Sequence, residues 1–165
     1  MRIVAALLAC ASCAAAHAHS VSDAYLTLDV KPAVVEAQWD IALRDLDFVL
    51  TLDDDGDGAI TWGEVKRRRS DIESYAYRGL GATSEQGPCA IERRGHLVAA
   101  HADGTYAALS FRIVCKGRPR RIILDYRLLF DVDPTHRGIV VVRNGAATAT
   151  SLVSPANGRI ELLAP

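Results

Sequence analysis

The chain has no surplus of charge: 19 lysine and arginine residues face 20 aspartate and glutamate residues. That balance gives no general attraction to nucleic acid or to an anionic membrane surface. Beyond the first sixteen residues no stretch reaches the roughly 18 apolar residues that a membrane-spanning helix needs. Past residue 18 there is no close Cys-x-x-Cys pair, which argues against a cysteine-based zinc site. Ser20 and Ser22 lack a nucleophile-elbow context, and His96 and His101 lack the helical spacing of a zinc protease. There is no internal repeat and no second copy of the acidic stretch discussed below. These absences leave no enzyme signature, and the expectation is a non-enzymatic domain.

What is present begins with a leader. Met1 and Arg2 precede an apolar run, Ile3 to Ala16, and Ala16-His17-Ala18 has the small-x-small pattern that a signal peptidase cuts. Residues 1–18 therefore read as a signal peptide, and residues 19–165 as one periplasmic or secreted domain. Lipoprotein processing at Cys10, after Leu7-Leu8-Ala9, is the alternative. Either way two cysteines follow the leader, Cys89 and Cys115. In an oxidising compartment an isolated pair is most simply a disulfide. Closing a loop of that size stabilises a domain by about 3 kcal/mol.

Two periodicities alternate along the rest. Tyr25 to Val30 and Val35 to Leu43 alternate apolar and polar residues, with Val35, Ala37, Trp39, Ile41 and Leu43 on one side. This is the pattern of half-buried antiparallel strands, and Lys31-Pro32 marks the turn between them. Arg44 to Leu52 and Thr61 to about Leu80 have helical spacing instead, the second ending at Gly79, Gly81 and Gly87-Pro88. The strand period returns at Tyr106 to Cys115 and Arg121 to Asp131, with shorter runs at 139–142, 147–153 and 160–163. The expected fold is mainly β, an antiparallel immunoglobulin-like β-sandwich. A helix–loop–helix is inserted at about 44–80, between its second and third strands.

The stretch between the helices carries the chemistry. Asp53-Asp54-Asp55-Gly56-Asp57-Gly58-Ala59-Ile60-Thr61-Trp62-Gly63-Glu64 matches every position of an EF-hand calcium loop. Calcium takes six to eight oxygens in a flexible shell. Asp53, Asp55 and Asp57 would supply single carboxylate oxygens, Ala59 its backbone carbonyl, and Thr61 a contact through water. Glu64, on the exiting helix, would close the shell with two oxygens. Gly58 stands where the backbone turns sharply. The bidentate glutamate disfavours magnesium, whose shell is smaller and octahedral. Ile60 occupies the position that pairs with a partner loop in twinned EF-hands. With no partner loop, it must pair elsewhere in the domain or across a dimer.

Three other groups were candidates. After cleavage at Ala18, the α-amine and imidazole of His19 would together suit copper or nickel, with His96, His101 or His136 as partner; the alternative is a terminus without a role. Asp131 to Gly138 combines carboxylates, His136 and Arg137 in what reads as a polar turn set by Asp133-Pro134. Lys66-Arg67-Arg68-Arg69 reads as a solvated helix face.

Ala18-His19-Ser20-Val21-Ser22-Asp23-Ala24-Tyr25-Leu26, Trp39 to Leu46, and Asp125 to Pro134 with His136-Arg137-Gly138 resemble the extracytoplasmic part of the HupE/UreJ family. These are hydrogenase and urease accessory membrane proteins, and many relatives carry an EF-hand at this place. The resemblance covers nearly all of the chain after the leader. It implies an accessory module docking onto a membrane nickel or cobalt transporter or another periplasmic protein. The family's membrane half is absent from this sequence, so transport itself does not carry over.

Overall fold

The computed structural model describes residues 22–163. The leader, Cys10 and His19 lie outside the described residues. Strand β1 (Asp23–Lys31) and β2 (Val34–Ala42) form the first hairpin. Ala24, Leu26, Leu28 and Val30 of β1 face the core, as do Val35, Ala37, Trp39 and Ile41 of β2. Three helices follow: α1 (Leu43–Leu50), α2 (Trp62–Arg67) and α3 (Arg69–Arg78). The remaining strands are β3 (Leu80–Ser84), β4 (Gly87–Pro88), β5 (Ala90–His101), β6 (Gly104–Val114), β7 (Arg121–Tyr126), β8 (Arg137–Asn144), β9 (Ala147–Val153) and β10 (Arg159–Leu163).

They build two sheets, a six-stranded one in the order β5-β6-β2-β1-β8-β9 and a four-stranded one in the order β10-β7-β3-β4. Alternating residues of both sheets meet between them. Trp39 sets its ring edge-on to Tyr126, with centroids 5.4 Å apart, and both are fully buried. Ile72 and Ala76 of α3 join the same core, and Tyr77 stands perpendicular to Phe111. Cys89 and Cys115 form a disulfide that ties the entry of β5 to the exit of β6. Among the described residues no helix is long and apolar enough to cross a membrane.

The mainly β architecture and the helices between β2 and β3 are as expected, but several details differ. The pairing is not wholly antiparallel, because β1 and β8 run parallel. The chain leaves the small sheet at Tyr126 and re-enters the large one at Arg137, and a strand that changes sheets need not reverse direction. The alternation read through to Asp131 stops being strand at Tyr126. Leu128 and Leu129 remain buried because the turn folds under the end of the sandwich, with Leu129 at φ 58°. The second helical stretch is two helices, broken at Arg68, and Leu80 already belongs to β3. Leu43, read as the end of a strand, is the first residue of α1.

Candidate metal centre

The acidic loop lies between the end of α1 and the start of α2. Thr51 ends α1 in the left-handed region, φ 52°, which turns the chain sharply into the loop. Asp47 fixes that exit, because its Oδ1 accepts from the N–H groups of Leu52 (2.6 Å) and Asp53 (3.0 Å). Asp53 then organises the turn. It accepts from Gly56 N–H at 2.8 Å, Asp57 N–H at 3.2 Å and Gly58 N–H at 2.9 Å. Gly56 and Gly58 sit at φ 72° and 84°, which glycine adopts without strain.

This folding brings three carboxylates together. Oxygen atoms of Asp53, Asp55 and Asp57 lie within 4.8 Å of one another. Glu64 is not part of that group. Its carboxylate instead accepts from Asp54 N–H (2.9 Å), Thr61 N–H (2.7 Å) and the Thr61 hydroxyl (2.7 Å). With Thr61 as N-cap it completes a capping box on α2. Those bonds, the Thr61 N–H foremost, hold the Glu64 carboxyl below its usual range. The glutamate is 2% exposed, and its link to Asp54 joins the two ends of the loop.

The donor set is all oxygen. A carboxylate has about four lone-pair sites, so these hydrogen bonds leave room for further coordination. Residue type, convergence and backbone shape therefore fit a hard cation. The positions of Ala59 and Thr61 follow from the same turn, Ala59 donating its N–H to Asp57 Oδ1 at 2.8 Å. Among the described residues Ile60 forms no β-bridge; its side chain packs on the core, beside Ala42, Leu43 and the start of β6 at Asp103–Tyr106.

The basic run is a solvated helix face at Lys66, Arg67 and Arg69, with Arg68 half-buried, and three of its four residues are paired. Arg67 and Arg68 pair with Asp54 at 3.2 and 3.7 Å, and Arg68 donates to the Leu50 carbonyl at the end of α1 (2.6 Å). Arg69 pairs with Glu73 at 2.8 Å. Spacing alone did not single out Asp47, Asp54, Arg67 or Arg68, because none occupies a ligand position. Their signal was only that acidic and basic residues flank the loop on opposite sides.

His136 is fully buried and both of its ring nitrogens are taken. Nδ1 lies 2.7 Å from Ser22 Oγ, and Nε2 lies 3.0 Å from the Tyr126 hydroxyl. Ser22 Oγ gives its proton to Asp45 Oδ2 at 2.9 Å. Hence Nδ1 carries the imidazole proton and Nε2 accepts from Tyr126. Burial, the largest cause, pushes the His136 pKa down to about 4. To ligate a metal here, it would have to give up one of these buried bonds. His101 pairs instead with Asp40 at 3.1 Å, and His96 lies buried beside Glu73. The Asp131–Gly138 segment is a polar turn, in which Asp133 accepts from Thr135 N–H (2.8 Å) and the Thr135 hydroxyl (2.6 Å).

No protein-family model matches the chain, and no curated protein matches it.

Proposed function

We propose that the chain is a calcium-binding domain whose single EF-hand, Asp53 to Glu64, is inserted in an exported immunoglobulin-like sandwich. The observation that carries this reading is the convergence of Asp53, Asp55 and Asp57 within 4.8 Å, in a loop closed by the Asp54–Glu64 bond. Asp53, Asp55 and Asp57 supply carboxylate oxygens and Ala59 its carbonyl. Thr61 acts through water, and Glu64 swings from its capping box to give two oxygens. The affinity belongs with extracellular sites, at about 10⁻⁴ to 10⁻³ M. Because the flanking sequence resembles the HupE/UreJ ectodomain, the domain's setting would be that of an accessory module beside a membrane transporter.

Calorimetry of calcium and magnesium binding to the wild type and to Glu64→Gln tests the site. Calcium binding in the stated range, preferred over magnesium and weakened about tenfold or more by Glu64→Gln, is expected. No calcium heat, or heat unchanged in the variant, would sink the reading.

A further inference from the structure

Charge is balanced over the whole chain but not along the sandwich. Strand register gathers four connections at one end. They are the β1–β2 turn after Lys31, the β3–β4 turn at Glu85-Gln86, the β6–β7 loop from Cys115 to Arg120, and the β8–β9 turn after Asn144. β10 finishes there too: Leu163 lies opposite Arg121, and its carbonyl accepts from Asn144 Nδ2 at 3.0 Å. These connections and the strand residues bordering them carry Lys31, Lys116, Arg118, Arg120 and Arg121 against a single carboxylate, Glu85. The opposite end carries the acidic loop, Asp103, Asp131 and Asp133.

The β6–β7 loop is held by its neighbours. Cys115 is tied to Cys89, and Arg120 donates its N–H to Glu85 Oε1 at 3.0 Å. Gly117, at φ 62°, sits against the Gln86 side chain. The backbone is thus fixed while the side chains of Lys116, Arg118 and Arg120 stand exposed. Lys31 and Arg121 have carboxylate partners on the adjoining strands, Glu36 and Glu161. Among the described residues Lys116 and Arg118 have none, and Arg120 acts on Glu85 without forming an ion pair. Pro32, Ala33 and Leu163 are exposed among these cations.

We propose that this end of the sandwich docks on an anionic lipid bilayer, with Lys116, Arg118 and Arg120 against the phosphate headgroups and Pro32 and Leu163 at the interface. Charge complementarity selects an anionic partner. Nucleic acid is disfavoured, because no aromatic side chain stands in these connections for a base to stack on, and no helix stands there to enter a groove. An acidic protein is disfavoured by the same lack of an aromatic anchor. Each basic residue at such a surface strengthens binding about fivefold, so these three together give about a hundredfold. The acidic loop, at the far end, is held away from the negative surface. The inference does not depend on whether that loop binds calcium.

The test is flotation of the full chain with two kinds of vesicle, phosphatidylcholine alone and phosphatidylcholine with about 30 mol % phosphatidylglycerol. Chelator is present throughout, and comparing the two vesicles cancels apolar binding by the leader. The wild type should prefer the anionic vesicles by about a hundredfold at low salt and lose most of that preference at about 0.5 M salt. Lys116→Ser, Arg118→Gln and Arg120→Gln together should abolish the preference. Lys66→Ser, Arg78→Gln and Arg127→Gln, which remove the same charge at the opposite end, should keep it. Circular dichroism confirms that both variants are folded. The proposal is overturned by equal binding to both vesicles, by a preference that the first variant retains, or by one that the second variant loses equally. Binding to DNA that is tighter than to the vesicles at the same salt, and lost in the first variant, would make nucleic acid the partner and overturn it too.

Discussion

Replacing His136 by asparagine should reverse the stability order of variant and wild type between pH 7 and pH 4. The imidazole is buried between Ser22 and Tyr126, and its pKa is pushed down from 6.5 to about 4. A histidine whose folded pKa is depressed contributes full stability above its unfolded pKa. That stability falls away as the pH drops through the window between the two values. Each pKa unit is worth about 1.4 kcal/mol, so the wild type loses roughly 3 kcal/mol between pH 6.5 and 4 from this group. Asp45 acts in the opposite sense, because burial raises its pKa and folding then favours its protonated form. It is present in both proteins and so largely cancels in the comparison.

Asparagine can still donate to Ser22 but cannot reach Tyr126, whose buried hydroxyl is left without an acceptor. At pH 7 the variant should therefore be less stable by about 2 kcal/mol. It has no group to titrate, so its stability curve should be flatter by about 1.4 kcal/mol per pH unit across the window. The curves cross before pH 4, where the variant is the more stable by about 1 kcal/mol. Urea denaturation followed by tryptophan fluorescence, at several pH values and with chelator present to keep the acidic loop out of the comparison, measures this directly. Parallel curves would refute the assignment of a buried neutral imidazole.

Two further outcomes follow from the core. Changing both Cys89 and Cys115 to alanine opens a loop between residues 26 apart and should cost about 3 kcal/mol in denaturant unfolding; a loss well under 1 kcal/mol would contradict it. Gly138→Ala would place a Cβ 2.5 Å from Val153 Cγ2 and 2.8 Å from Tyr126 Cζ. Such overpacking should cost about 1 to 3 kcal/mol, and an unchanged melting temperature would show that the site can relax.

How much the sequence revealed depended on whether a residue's role was periodic. β1, β2 and β6 were legible because most of each strand buries every second residue, the pattern lapsing only at Asp40–Ala42 and at Tyr106–Ala107. β5 was not, because it overhangs at an edge and only His96 among its twelve residues is buried. β3 was hidden by Gly81, which read as helix termination while lying in a narrow strand against β7. Leu128 to Phe130 kept the strand period outside the strand, since the turn beneath the sandwich buries the same kind of side chain. The convergence of Asp53, Asp55 and Asp57 was legible because fixed spacing defines their positions in the loop. His136 was visible as a chemically capable residue, but only three-dimensional contacts with Ser22 and Tyr126, from distant parts of the chain, revealed its role as a core hub.

Other long-range contacts explain how a solitary loop can hold its shape. A twinned EF-hand steadies each loop against its partner, and here the domain takes over that work. Ile60 packs on the core, Asp47 holds the entry, and Arg68 reaches both Asp54 and the Leu50 carbonyl at the end of α1. Much of the ordering a bound ion would otherwise impose is already in place, which favours binding. Arg67 and Arg68 also bring two positive charges to a loop that must accept a dication, which opposes it. A framework that pre-forms the Asp53–Asp57 turn leaves the Glu64 side chain as the part that an ion would move. Under the calcium-binding proposal, the site would act as a weak brace between α1 and α2, and not as a switch that opens them.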